Sequence, residues 1–481
     1  MSDLERKVPD QKRATDSADR KRLFELLLKG GGIYLAPEPC IPRADDALRC
    51  VLSAAQKRLL LAEDAPPFAV PPNEVVTLRF KGPLSPAALS QALDEFVRRH
   101  EILRTLFLRT GSDIQQQVLT HTPRGIPILD AVGTRGFSNA AASRLTQEIA
   151  QAHIDINAPP LIRGRLITIQ PHEAVLVLSL KAVACDSWSR RILITELGSF
   201  YSTYLLGGES GYKEPAIQYR DFAEWQQARL AAGDMDEQIE YWIDKLRDQA
   251  RRDGPASFRT IPRKAVLELM LEKDLSNRIR LLCRAEGVTP FIVLLALWQI
   301  LIARHMRTPD VVVATKISNR DTSELMNLVG PVWNMLPLRM DLSGNPSTRE
   351  IIQRAKDAFV DLHSHGEVPF EEIVAEAGKR GSLSSGYFPE TMFVMDHESI
   401  GDIQFNGLNV SEEPLSQVTH AECNLVMVMK ESGKSFEGRL EYSPDLYGEE
   451  KVSRMAAGYR WLAESAVSNP DRAGWMDGPM P

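Results

Sequence analysis

Apolar residues recur along this chain with two alternating periods. Val75 to Phe80, entered through Pro71-Pro72, reads as a strand. Leu89, Leu93, Phe96, Val97 and His100 then follow at helical spacing, with Ser85 placed to cap and Pro86 at the first helical position. The run Ala174-Val-Leu-Val-Leu-Ser-Leu180 predicts a strand buried on both faces. A polar break from Lys181 to Ser187 precedes an amphipathic helix marked by Leu193, Leu197, Phe200, Tyr201 and Tyr204. The second half repeats the alternation: a helix near Leu275 to Ala285, an apolar helix from about Pro290 to His305, and a strand at Val311 to Thr315. A helix from Thr348 to Leu362 follows, opened by the capping box Ser347-x-x-Glu350. Interleaved helices and strands predict an α/β architecture in at least two lobes. Their boundary falls between Gly207 and Trp225, where Gly207, Gly208, Gly211 and Pro215 thin out the pattern. Ahead of them, a charged lead and a short helix within residues 17–29 stop at Gly30-Gly31-Gly32 and read as a flexible arm or a partner-docking helix.

Composition narrows the function classes. Across 481 residues, 57 Lys+Arg against 64 Asp+Glu give a net charge of −7, and 43% of residues are hydrophobic. Such a chain buries a sizeable core in two or three units and is not intrinsically disordered. Without a basic run it carries no footprint for a phosphate backbone, so nucleic acid is not an expected partner. The five cysteines are scattered and read as free thiols of a reducing cytoplasm. The start, Met1-Ser-Asp-Leu-Glu-Arg-Lys, is charged where a secretory signal is apolar. The longest apolar run, Phe291 to Ala303, contains Gln299 and falls short of the roughly 20 residues of a membrane span. A cytoplasmic protein without membrane insertion is expected. His363 and His365, beside Glu367, lack the further ligands of a metal site, so no metal is expected.

Several segments, in order, carry a resemblance. They are Ser53-Ala-Ala-Gln-Lys-Arg-Leu59, Arg99-His-Glu-Ile-Leu-Arg-Thr-Leu-Phe107, Tyr219-Arg-Asp-Phe-Ala-Glu-Trp-Gln226, Ala314-Thr-Lys-Ile-Ser-Asn-Arg320, Val329-Gly-Pro-Val-Trp-Asn-Met-Leu-Pro-Leu-Arg339, His365-Gly-Glu-Val-Pro-Phe-Glu-Glu-Ile-Val374 and Leu440-Glu-Tyr-Ser-Pro-Asp-Leu-Tyr447. From about Leu52 to Asn469 the chain resembles the condensation domains of nonribosomal peptide synthetases. The resemblance implies two chloramphenicol-acetyltransferase-like lobes, 46–225 and 226–475, forming a V-shaped pseudo-dimer with a central tunnel, preceded by the arm at 1–45. It also implies carrier proteins that dock at the tunnel mouths and insert phosphopantetheine arms, with no cofactor bound directly. Together these place the chain in nonribosomal peptide or hybrid polyketide assembly, the secondary metabolism that makes antibiotics.

The family's central motif has two His, three variable residues, Asp and Gly, with Ser commonly two residues later. Here that place holds Lys181-Ala-Val-Ala-Cys-Asp-Ser-Trp-Ser189. Ala182 stands where the family has its tunnel-facing His, and a methyl group neither accepts a proton nor holds an amine, so imidazole acid/base work is excluded. The resemblance gives Asp186 a structural role as partner of Arg99, since a buried carboxylate without a partner costs several kcal/mol. Arg104 reads as a helix-end anchor. Cys185, Trp188, Trp333 and Asn334 are tunnel candidates; Cys185 reads equally as a small buried thiol and the two tryptophans as packing.

The leading expectation is amide or ester formation by alignment of tethered donor and acceptor, with backbone N–H groups near Trp188 and the Ser189 hydroxyl on the oxyanion. Lys181 as a depressed-pKa base is a sharper version, against a paired or snorkelling lysine. Close behind stands a non-catalytic platform that binds carriers and recruits tailoring enzymes. Heterocyclisation, with Asp186 and Ser189 in the right spacing but Lys181 in place of an Asp, is a minor alternative, and a free coenzyme A acyltransferase is weakened by the same missing His. Leu206-Gly-Gly-Glu-Ser210 imitates a carrier's phosphopantetheine site but reads as a loop.

Overall fold

The structure, a computed structural model, describes residues 41–44, 50–64, 73–111, 113–125, 128–130, 139–150, 152–209, 211–247, 265–383, 387, 389–396, 403–413 and 423–475. The helix expected within 17–29 and Ser210 of the carrier-like segment lie outside them. Alternation of helices and strands yields two principal sheets. The first runs β11 (Asn409–Glu412), β1 (Asn73–Lys81), β6 (Glu173–Lys181), β5 (Ile162–Gln170), β4 (Ile128–Asp130). The second runs β7 (Ala265–Leu271), β13 (Ser435–Tyr442), β12 (Leu425–Ser432), β10 (Thr391–Asp396), β8 (Asp310–Ile317), β9 (Asn334–Asp341). A short hairpin, β2 (Thr105–Thr110) and β3 (Asp113–Val118), stands apart.

Local sequence explains these elements. The Ser85 hydroxyl accepts the Ala88 N–H, Pro86 follows, and helix α2 (Pro86–Arg99) buries Leu89, Leu93, Phe96 and Val97. The continuous apolar run becomes β6, buried from Ala174 to Lys181 because β1 and β5 flank it and helices cover it. The capping box at Ser347 and Glu350 forms as expected and opens the helix Thr348–Ser364. The apolar helix Pro290–Met306 is buried at every position from Ile292 to Ala303, which accounts for its composition without a membrane. Among the described residues no single helix is long and apolar enough to cross one.

Two large apolar cores result, one centred on α2 and β6, the other on the helix Pro290–Met306 and the second sheet, beside a small cluster of Val75, Ile167, Val175 and Val177. Connections between them are not sequential. Strand β11, far along the chain, pairs antiparallel with the edge of β1, placing Glu412 opposite Leu78, and Leu325, Leu328, Val329, Val332 and Phe405 pack in the first core. This return of the chain brings the segment after β8 against the turn after β6.

Candidate functional site

Strand β6 ends at Lys181, a turn covers 182–184, and helix α4 (Ser187–Leu205) begins after Asp186. The Asp186 carboxylate caps that helix: Oδ1 accepts the Ser189 N–H at 2.7 Å and the Ser189 hydroxyl at 2.6 Å. A second element closes the ring. Arg320, three residues past β8, donates from Nη2 to Oδ1 at 3.1 Å and Oδ2 at 2.9 Å of Asp186, and both side chains are buried. The same guanidinium donates to the carbonyls of Leu325, Leu328 and Gly330. Gly330 N–H donates to the Ser189 Oγ at 2.9 Å, and Val332 N–H to Asp186 Oδ2 at 3.2 Å. Gly330 has φ +140°, and the Tyr219 ring lies where a side chain would be, so both backbone and space call for glycine. Tyr219 in turn donates its hydroxyl to the Pro331 carbonyl at 2.7 Å and lies 2.8 Å from the Ser53 hydroxyl, and burial pushes its phenol pKa up. Chain segments far apart in sequence thus fix one loop.

The pairing of Asp186 with Arg99 is corrected by this geometry. Arg99 lies at the end of α2 and binds Glu196 at 3.2 Å and the Lys213 carbonyl. Its guanidinium is engaged there, and Arg320 supplies the countercharge of Asp186. Ser189 is corrected as well: its hydroxyl is fully buried and spent on Asp186 and Gly330, leaving no donor for an oxyanion. Lys181 is buried at the end of β6, with its N–H on the Leu161 carbonyl. Cys185, expected along a tunnel, is 1% exposed and donates its thiol to the Asp186 carbonyl at 3.4 Å; burial pushes that thiol well up, away from nucleophilic use. Ala182 is half-buried in the turn.

Trp188 donates its indole N–H to the Met326 carbonyl at 2.8 Å, so it braces the loop against the segment after β8. Trp333 and Asn334 line a cleft, where the Asn334 amide donates to the Gly366 and Val368 carbonyls. Arg104 donates to the Leu119 carbonyl and acts as an anchor. His365 stacks on Tyr241 at 3.7 Å, and His363 meets the Phe359 edge at 4.8 Å, so the two rings diverge. Arg320, Gly330 and Tyr219 all stand inside the motifs quoted from the sequence, yet nothing local marks them as one frame.

The neighbouring Glu196 provides a titration. Burial pushes its carboxyl up, but a 2.8 Å bond to His100 and the charge of Arg99 outweigh this and hold it below the usual 4.5. A depressed carboxylate stabilises the fold above its unfolded pKa and loses that contribution as pH falls through the folded value. Acidification from about pH 5 to 3 is therefore expected to lower the urea midpoint less in Glu196→Gln than in the wild type. Parallel slopes in the two proteins would remove Glu196 from the acid response.

Comparisons with known proteins agree with this architecture. The profile of the family described as Condensation domain matches residues 48–473. A linear gramicidin synthase of Brevibacillus parabrevis is 29% identical over 438 residues, which cover 89% of this chain and 8% of that protein. The chain thus spans a small part of that relative. Among solved structures, the X-domain from teicoplanin biosynthesis superposes with a TM-score of 0.77 at 24% identity, covering 90% of this chain and 98% of that one. A complex of that X-domain and OxyB gives the same TM-score and identity over 92% and 98%. These likenesses establish the fold.

Proposed function

Because this chain belongs to the condensation-domain family found in nonribosomal peptide synthetases, we propose that it receives a carrier-tethered acyl or peptidyl group and serves as a non-catalytic platform that recruits a tailoring enzyme. Lobes at 46–225 and 226–475 would enclose the tunnel, and the phosphopantetheine arm of a carrier would enter it. One observation carries this reading. The loop is held by Asp186, Arg320, Ser189 and Gly330, yet position 182 offers only a methyl and the Ser189 hydroxyl is spent on the frame. A site that keeps its shape and lacks the imidazole at position 182 is suited to holding a tethered group more than to acid/base transfer. The X-domain with OxyB supports it as a member of the same fold that forms a complex with a second protein.

The intact frame also favours a second reading, amide or ester formation by alignment alone, since effective molarity acts without a base. Heterocyclisation loses ground, because Asp186 and Ser189 are bound to each other and to the frame.

Incubation with a loaded donor carrier and candidate acceptors, followed by carrier mass, separates the readings. The expected result is binding of the loaded carrier with its mass unchanged. Transfer that requires this protein would overturn the platform in favour of alignment. Ala182→His reports on access: transfer gained by that variant shows that both tethered substrates reach the loop. If loaded carriers fail to bind in any state, both readings fall.

A further inference from the structure

We propose that residues 20–28 of this chain dock back on the apolar patch that Leu205, Leu206 and Tyr212 form at the end of helix α4. The patch is fixed in place. Leu206 closes the helix with its N–H on the Thr203 and Tyr204 carbonyls, and the Gly207 and Gly208 N–H groups bond the Tyr204 and Thr203 carbonyls at 3.1 and 3.0 Å. Gly207, at φ +73°, makes that turn possible. The Tyr212 ring stands edge-on to the buried Phe200 ring at 5.0 Å, which sets it against the last turns of α4. A helix end bonded in this way holds its apolar side chains outward. Leu206 is 77% exposed, Tyr212 44% and Leu205 39%. Large apolar side chains grouped on a fixed surface mark a contact site.

Three observations choose the chain's own leading segment as the occupant. The first is where that segment ends. Arg43 donates to the Pro215 carbonyl at 2.7 Å and to the Ala216 carbonyl at 3.0 Å, and Ile41 N–H to Glu324 Oε2 at 3.3 Å, so the chain enters the fold three residues along from Tyr212. Residues 29–40 span at most about 45 Å when extended, and the patch falls well inside that reach. The second is apolar pattern: Leu23 and Leu27, and Phe24 and Leu28, recur at i, i+4 spacing and offer the side chains that the patch can cover. The third is charge. Arg20-Lys21-Arg22 precede the apolar residues, whereas Glu209 and Glu214 stand exposed on either side of Tyr212 with Lys213 the single cation between. Glu214 bridges to Arg98 at 2.7 Å yet remains 53% exposed. Basic residues ahead of an apolar stretch therefore meet an acidic rim around an apolar patch.

Photocrosslinking in the full chain tests this without a carrier. Leu206 is replaced by p-benzoylphenylalanine, and unlabelled and heavy-isotope-labelled protein are mixed in equal amounts, irradiated and digested with trypsin. The expected product joins the Leu206 position to the peptide running from Leu23 to Lys29, with both halves of one isotope, as docking within one chain requires. The same photoprobe at Leu281, which is 60% exposed on another helix, should not capture that peptide. Phe24→Asp with Leu27→Asp should lower the yield about tenfold, since apolar contact is what holds the segment. Added salt should lower it further through the acidic rim. Products of mixed isotope would overturn the proposal in favour of docking between two copies of the chain. A Leu206 probe that never captures the peptide, or captures it equally in the double variant, would overturn it outright.

Discussion

Arg320→Met is expected to lower the unfolding free energy by about 3–5 kcal/mol, because it leaves the buried Asp186 carboxylate without its countercharge. The loss is wider than one ion pair. Arg320 also satisfies the carbonyls of Leu325, Leu328 and Gly330, and these keep the segment after β8 pressed against the turn after β6. Asp186 retains the Ser189 and Val332 donors, which soften the penalty without cancelling it. Arg99→Met is the comparison that gives the number meaning. Its partner Glu196 keeps the His100 bond and is 18% exposed against 3% for Asp186, so the loss should be smaller, about 1–2 kcal/mol. Urea unfolding followed by tryptophan fluorescence measures both, and equal losses at the two positions would refute the assignment of Arg320 as the partner. Adding Asp186→Leu to Arg320→Met should recover part of the stability, since the stranded charge is then gone.

Gly330→Ala should cost at least about 3 kcal/mol, through a clash that has no soft exit. A Cβ there would lie 1.9 Å from Tyr219 Cδ2 and 2.3 Å from Cε2, at a φ of +140° that side chains rarely adopt. The ring cannot swing aside, because its hydroxyl is tied to the Pro331 carbonyl and Ser53 in a fully buried setting. Gly344→Ala is the control: its φ is +82° with open space around it, so only the backbone penalty of about 1 kcal/mol remains. Tyr219→Phe, which keeps the ring and drops the hydroxyl, should cost an intermediate 1–2 kcal/mol or so. Because Gly330 contacts Ser189 and Arg320 directly, the alanine variant should also weaken binding of a loaded carrier at temperatures where it is still folded. Carrier affinity unchanged in folded Gly330→Ala would show that the loop frame does not shape the binding surface.

The helices and strands were legible because their causes are local. Ser85 with Pro86, Ser347 with Glu350, and the unbroken apolar run into β6 act over a few residues, and each element appears where its pattern stands. The ordered motifs carried the family, and Ala182 alone disclosed the missing imidazole. The loop's ion pair was not legible: Asp186 and Arg320 are separated by 134 residues, and sequence offers no way to choose one arginine among many. The resemblance named Arg99 as that partner, whereas the fold places Arg99 on Glu196. Ser189 likewise has the chemistry of a donor, and only burial against Gly330 shows that its hydrogen is already spent.

The sequence by itself therefore determined the alternation of elements, the family and the absence of a general base at position 182. Tertiary structure alone decided which arginine neutralises Asp186 and that Ser189 fastens the loop. The reason is physical: periodicity and capping are short-range and written in consecutive residues, whereas countercharge, steric exclusion and desolvation depend on which distant segments the folded chain brings within a few ångströms.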